Sequence, residues 1–516
     1  MLGLDSIDPF LAQLWMDEGR LPVLAELAER GRCALVTNPF TYFSGAAWPT
    51  LITGVSPWVH GTIFDRQLKP GSHSVEHVTA RSIGAPPFWR YVSDAGLRST
   101  VVGVYAQSML EGFRGTQVIA WGSHDPFSAK FGRPRSDPPE VLSWLEQGVP
   151  DRRYGFRDST PRTLEELRTY AGEALTEIDK HGRGLQLLLE RTEWDLFLGC
   201  FSEPHEAGHH LWHLWEPESE DDVADADPEL RGSLRAIYER VDRALGAVIA
   251  RVPPDAAVMA FTPHGMYPNW RMAGLCAPLL EAGGWCVRLG EPMVKDPRLK
   301  VMSSLRGAAH AVLPRRARHV LGRAFRKPRS KLLAGLELAD IDWSLTRAFS
   351  LPNDGASIIR VNLRGREPSG VVRPGSEYDA LLEEISIAAG ELVDEQGRPV
   401  VSEILQIRDL LGEVPGEAFP DLAIVWADRR IRTVSSERLG TLEVPFDKRS
   451  GDHRRMGFVV GAGPGIESSG ERRIEGPEAT ILDVAPTALA RLGVPIPSDL
   501  SGKPIPGLAQ PGLTTP

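Results

Sequence analysis

The sequence predicts an α/β protein, a sheet of short buried strands with helices between them, and three observations carry that prediction. Apolar runs too short for helices recur, at Trp194 to Gly199 (WDLFLG) and Ala256 to Thr262 (AAVMAFT). Stretches of helical periodicity separate them, at Leu11 to Arg30 and Pro228 to Val252. Chemically active side chains then follow the strands directly, where open α/β sheets bind their ligands.

The densest such stretch is Cys200 to His213 (CFSEPHEAGHHLWH), which follows the WDLFLG run. It holds His205, His209, His210 and His213, four of the chain's 13 histidines, with Glu203 and Glu206. It reads as a loop at a strand's end that holds a metal ion.

Composition bounds the remaining choices. At 516 residues the chain exceeds the roughly 250 to 300 residues that one core spans, so a large domain with insertions or a second lobe is expected. The net charge, 58 basic minus 68 acidic or −10, argues against a dedicated nucleic-acid partner. No apolar run reaches the roughly 18 residues of a membrane helix, and no signal-like leader is visible, so no membrane partner and a cytoplasmic location are expected. Cys33, Cys200, Cys276 and Cys286 lack CxxC spacing and read as buried free thiols.

In chain order, Met1 to Leu4 reads as the end of a strand, which expects either a very short first strand or a natural start further upstream. Asp5 follows it, and Leu11 to Arg30 reads as one helix stopped by Gly31. Cys33 to Val36 is a second strand. Ser44-Gly45-Ala46-Ala47 leads into a helix-like run ending near Gly54, so Ser44 is either an N-cap or a nucleophile candidate. Thr100 to Tyr105 reads as a strand and Arg162 to Leu189 as a helix, while Ser123 to Thr160 reads as a surface excursion facing substrate. Pro263-His264-Gly265 places another histidine at a strand end.

Arg306 to Lys331 carries nine Lys or Arg and no acid, as a solvated helix or a positive lid over an anionic substrate. Strand pieces at Ser357 to Leu363 and Leu422 to Trp426 surround a helix at Tyr378 to Val393, an α+β subdomain by pattern. His453 stands just before the strand Gly457 to Val460, and Glu478 to Leu492 closes the chain as a helix.

An Asp after the first strand, a hydroxyl residue ten positions before the glycine of an x-T-G segment, the GH and HGM segments and a late GxHRxxG occur here in one order. Together they resemble the alkaline phosphatase superfamily, in its type I phosphodiesterase/nucleotide pyrophosphatase branch with bacterial phosphohydrolase/phosphomutase members. Leu351 to Gly370 and Ile481 to Ile505 carry the same likeness. The resemblance implies a mostly parallel central sheet flanked by helices, with an inserted α+β subdomain. It divides the chain into core at 1–285 with an insertion near 70–185, a basic helical lid or insertion at 286–340, the subdomain at 341–435, and the last part of the core with a C-terminal tail at 436–516.

The resemblance also implies two divalent cations about 4 Å apart and a hydroxyl nucleophile. Asp5 and His264 match ligands of one ion, Ser44 matches the nucleophile and a ligand of that ion, and His209 and His453 match ligands of the other. Two positions depart from the family's pattern. His205 stands where an aspartate is usual, giving a three-imidazole set suited to zinc, with Glu203 as an alternative ligand. Pro263 stands where another aspartate is usual, so the chain is expected to hold one or two ions. Asp65, twenty-one residues after Ser44, replaces a phosphate-contacting asparagine and takes no role.

The expected activity is a metal-dependent phosphoric ester hydrolase. Ser44 attacks phosphorus, the amides of Gly45 and Ala46 stabilise the phosphoryl oxygens, and a phosphoserine is then hydrolysed by water. Its partner is a phosphorylated small molecule; the sequence is silent on oligomeric state. A phosphomutase, or a non-catalytic anion-binding member, is the alternative.

Overall fold

The computed structural model describes residues 1–122, 134–150, 163–217, 223, 225–270, 272–289, 337–416, 419–445, 449–476 and 478–509. The basic segment Arg306 to Lys331, with most of the expected lid, lies outside the described residues.

A nine-stranded sheet forms the centre. Its order runs Ala479–Thr480, Arg32–Thr37, Met456–Ala462, Val258–Thr262, Leu2–Leu4, Leu196–Phe201, Ser99–Val102, Gly115–Ile119, Arg135–Asp137. Neighbours are parallel except around Met456–Ala462, which opposes both of its partners, and at the Arg135–Asp137 edge. Every residue of Leu196–Phe201 is buried, as expected for a strand covered on both faces. Helices Pro9–Asp17, Pro22–Glu29, Leu164–Arg191 and Ser233–Ile249 cover one face. Helices Ala47–Thr53, Phe88–Asp94 and Val484–Arg491 cover the other.

Several expectations need correction. The single helix over Leu11 to Arg30 is two, because Gly19 turns left-handed at φ 72° and Pro22 starts the second helix where its missing N–H costs nothing. The stretch near 70–185 is not set apart from the core, since it supplies the last three strands of the main sheet and the 28-residue helix Leu164–Arg191, capped by Thr163. Ser99–Val102 is the strand expected at Thr100 to Tyr105, while Gly115–Ile119 and Arg135–Asp137, five and three residues long, are too short for a clear pattern. The closing helix is Val484–Arg491, entered through a 3-10 turn at Ile481–Asp483.

A second core belongs to a four-stranded antiparallel sheet, Ala348–Leu351, Ser357–Val361, Leu422–Trp426 and Val401–Gln406, backed by helix Ser376–Gly390. The Cys276–Ala282 helix packs into this core rather than the first. A buried ionic network ties its strands together: Arg360 to Glu367 at 2.7 Å, and Arg366 to both Glu367 and Asp421. All four cysteines are free and buried. No helix among the described residues is long and apolar enough to cross a membrane.

Candidate functional site

Three adjacent parallel strands of the main sheet, Val258–Thr262, Leu2–Leu4 and Leu196–Phe201, end side by side. Whatever follows each strand is therefore delivered to one place. Asp5 follows the first strand, His264 comes two residues after Thr262, and the histidine stretch follows Phe201.

That stretch is not a loop. Pro204 sits in the first turn of a helix, Glu203–Trp215, in which His205 and His209 stand one turn apart on the same buried face. The third imidazole arrives from elsewhere in the chain. Residues Gly265–Pro268 continue directly from His264 and pair antiparallel with Gly451–Arg454, with His453 opposite Met266. His453 stands ahead of the Met456–Ala462 strand, as expected, and itself lies within a short strand, with its ring centroid 4.4 Å from that of His264. Helix and hairpin approach closely because two glycines meet: a Cβ on Gly451 would lie 2.2 Å from the Gly208 carbonyl oxygen. The glycine of the GH pair is there for packing.

His205, His209 and His453 form a group of converging donors, all within 4.8 Å of one another. His205 Nε2 lies 2.9 Å from His209 Nε2 and 2.9 Å from His453 Nε2. The outward nitrogens fix the tautomers: His205 Nδ1 donates to the Asp5 carboxylate at 3.0 Å, and His209 Nδ1 donates to the Gly451 carbonyl at 2.7 Å. With both rings in the neutral form these bonds select, each Nε2 carries a lone pair, and the 2.9 Å contact between them has no hydrogen to bridge it. Lone pairs facing at that distance repel, whereas a cation between them makes the same geometry favourable. Tetrahedral ligation at ~2.0–2.1 Å spaces nitrogens ~3.4 Å apart, about half an ångström from what is present. The donor set fits a divalent ion. Burial holds His209 and His453 neutral, with pKa values well below the usual imidazole value, and the neighbouring imidazoles act in the same direction.

Asp5 is 1% exposed. Its Oδ2 accepts from His205 and its Oδ1 from Trp48 Nε1 at 3.0 Å. Its position depends on Ser6, which turns at φ 61°, a strained angle for a side-chain-bearing residue, and whose amide donates to Thr262 Oγ1. His264 Nδ1 lies 3.3 Å from Ser6 Oγ, and burial lowers its pKa to about 4, with Asp5 opposing the shift.

Ser44 lines the same cleft of about 390 Å³ as His264 and His453. It does not cap the following helix, whose N-cap is Ala46 with no side-chain bond. Its hydroxyl instead donates to Asn353 Oδ1 at 3.0 Å and accepts from the Asp354 amide at 3.2 Å. The expected amide cradle is absent, because Gly45 N donates to the Ile63 carbonyl and Ala46 N to the Phe43 carbonyl. Glu203, the alternative ligand, lies against His181 Nδ1 at 3.0 Å and is outside the three-histidine group. His210 packs edge-on against Tyr170, and Asp65 lies beside Arg66. Asn353 and Asp354 went unassigned in the sequence, although the PNDG turn, with a glycine placed to allow close approach, was the available signal.

Comparison with known proteins gives consistent results. A family model described as type I phosphodiesterase / nucleotide pyrophosphatase matches residues 1–331. No curated protein matches the chain. Phosphonoacetate hydrolase from Sinorhizobium meliloti 1021, solved with phosphonoformate, shares the fold at a TM-score of 0.50 and 14% identity, over 94% of this chain and 93% of that one. A mutant of the alkaline phosphatase PafA does so at a TM-score of 0.50 and 13% identity, over 98% and 97%.

Proposed function

The chain belongs to the type I phosphodiesterase / nucleotide pyrophosphatase family, within the alkaline phosphatase superfamily, and from that premise we propose that it hydrolyses phosphoric esters of small molecules through Ser44. The observation that carries the reading is one cleft lined by Ser44, His264 and His453, the last of these also one of three imidazoles whose nitrogens converge.

His205, His209 and His453 would hold a divalent ion, and zinc suits a set of three imidazoles. When bound, a divalent ion supplies positive charge for the phosphoryl oxygens and polarises the ester. Asp5 keeps His205 in the ligating tautomer, and the Gly451 carbonyl does the same for His209. Asp5 and His264 are the groups on which a second ion would draw. Both Asp5 oxygens already accept hydrogen bonds, from His205 and from Trp48.

In the reaction Ser44 Oγ forms a bond to phosphorus, the P–O bond to the leaving group breaks, and the hydroxyl proton ends on the departing oxygen or solvent. Water then attacks phosphorus of the phosphoserine, returning the serine hydroxyl and releasing the acid. The family match favours diesters and nucleotide-like esters as the substrate class.

The test uses purified protein with p-nitrophenyl phosphate and its bis-ester. Activity that is lost on chelation, returns with Zn²⁺ and is absent in Ser44→Ala supports the reading. Undiminished turnover by Ser44→Ala would remove it.

A further inference from the structure

Ser44 stands between Phe43, which packs in the second core, and Ala47, which packs under the main sheet, and the two groups on its hydroxyl come from the second sheet, more than 300 residues later. They sit in the turn between strands Ala348–Leu351 and Ser357–Val361. Taking Ser44 as the nucleophile of the proposed function, we infer that this Pro352-Asn353-Asp354-Gly355 turn is the positioning element that sets the attacking oxygen. Asn353 is its central positioning residue.

Four hydrogen bonds fix Asn353 and leave its orientation unambiguous. Its Nδ2 donates to the Tyr42 carbonyl at 2.8 Å and to the Ala356 carbonyl at 2.9 Å. Its Oδ1 accepts from the Ser44 amide at 3.1 Å and from Ser44 Oγ at 3.0 Å. A flipped amide would aim its donors at the Ser44 amide and its acceptor at two carbonyls, so the assignment follows from the network. With both Nδ2 hydrogens engaged, Asn353 has no donor left for a phosphate. Its role is toward Ser44.

The Asp354 amide adds a donor to the same oxygen at 3.2 Å. Ser44 Oγ thus has its proton directed to Asn353, one lone pair held by Asp354 and one lone pair remaining for phosphorus. As the hydroxyl loses its proton, the Asp354 N–H is already aimed where negative charge grows, and it needs no reorganisation. Gly355 permits this approach, since a Cβ there would lie 2.5 Å from the Thr41 carbonyl oxygen. The Asp354 carboxylate accepts from Arg449 Nη1 at 3.1 Å, two residues before the strand that carries His453. One turn therefore joins the serine loop to the metal-binding strand.

Misplacing an attacking atom by about 1 Å costs on the order of 100-fold in rate. Asn353→Ala should therefore lower kcat about 100-fold while KM and metal content stay at wild-type values. Asn353→Asp separates positioning from mere packing. When protonated, its acid can donate to the Tyr42 or Ala356 carbonyl and accept from Ser44. When ionised, it turns a bare oxygen toward those carbonyls and adds negative charge beside the attacking oxygen. The two facing carbonyl oxygens disfavour the ionised form and raise the new acid above its ordinary value of about 3.9, so its kcat relative to wild type should fall as pH rises from about 4 to about 8. An Asn353→Ala kcat within about threefold of wild type, or an Asp-to-wild-type ratio flat with pH, overturns the inference. Turnover that persists in Ser44→Ala would instead remove the nucleophile reading beneath it, and the clamp with it.

Discussion

Asp5→Asn changes one atom at the point where the fold meets the metal group. The carboxylate has a donor at each oxygen: His205 Nδ1 on Oδ2, and Trp48 Nε1 with the more distant Ser6 Oγ on Oδ1. An amide can accept at one position only. If its nitrogen faces the indole, which has no acceptor, two buried donors oppose each other at a cost of about 1–3 kcal/mol. If it faces His205, the ring must accept at Nδ1 and carry its proton on Nε2, aimed into the metal group. Either outcome weakens the site. Loss of an outer carboxylate typically costs 10–100-fold in metal affinity, or about 1.4–2.7 kcal/mol. The assay is Zn²⁺ competition between metal-stripped protein and a chromophoric chelator, with ion stoichiometry read alongside. A weaker site of unchanged stoichiometry supports the orienting role. Loss of a whole ion would make Asp5 a direct ligand, and an affinity within about twofold of wild type with an unchanged Tm would refute the reasoning.

Other residues give sharp expectations. Gly451→Ala drives a Cβ toward the Gly208 carbonyl and should cost about 1–3 kcal/mol, read by denaturation, with weaker metal binding because the His209 partner moves. Arg360→Met removes one of the two guanidinium partners of Glu367, with Arg366 remaining at 2.9 Å, and should destabilise the second sheet by about 1–3 kcal/mol in calorimetry. His60 is fully buried; its Nδ1 accepts from the Thr62 amide while Nε2 meets Thr50 Oγ1. Burial lowers its pKa from 6.5 to about 3. The folded state therefore binds fewer protons than the unfolded chain, and stability falls as pH drops below 6.5, levelling off below about 3. The stability difference between wild type and His60→Gln should shrink by about 2 kcal/mol between pH 7 and pH 5. A constant difference would show that His60 does not titrate between the two states.

Much of this architecture is legible where a single signal dominates. The all-buried Leu196–Phe201 strand has an unbroken apolar run, and the one-turn spacing of His205 and His209 already holds their shared helical face. The histidine stretch reads as a loop because proline, glycine and four polar rings outweigh periodicity, although proline in a first turn starts a helix. The Gly115–Ile119 and Arg135–Asp137 strands are obscured by their shortness. Backbone bonding is harder still to foresee: Ser44-Gly45-Ala46 looks like an open anion cradle until Ile63 and Phe43 claim two of its amides. Asn353 is invisible from Ser44 because 309 residues separate them and only tertiary packing of the second core joins them.

The central claim is that Ser44 takes the phosphoryl group. The direct measurement is acid quench of the zinc-loaded enzyme during turnover of p-nitrophenyl phosphate, followed by peptide mass spectrometry. The account predicts one added phosphoryl group on the peptide containing Ser44, absent in Ser44→Ala. An unmodified Ser44 peptide together with full turnover by Ser44→Ala would contradict it.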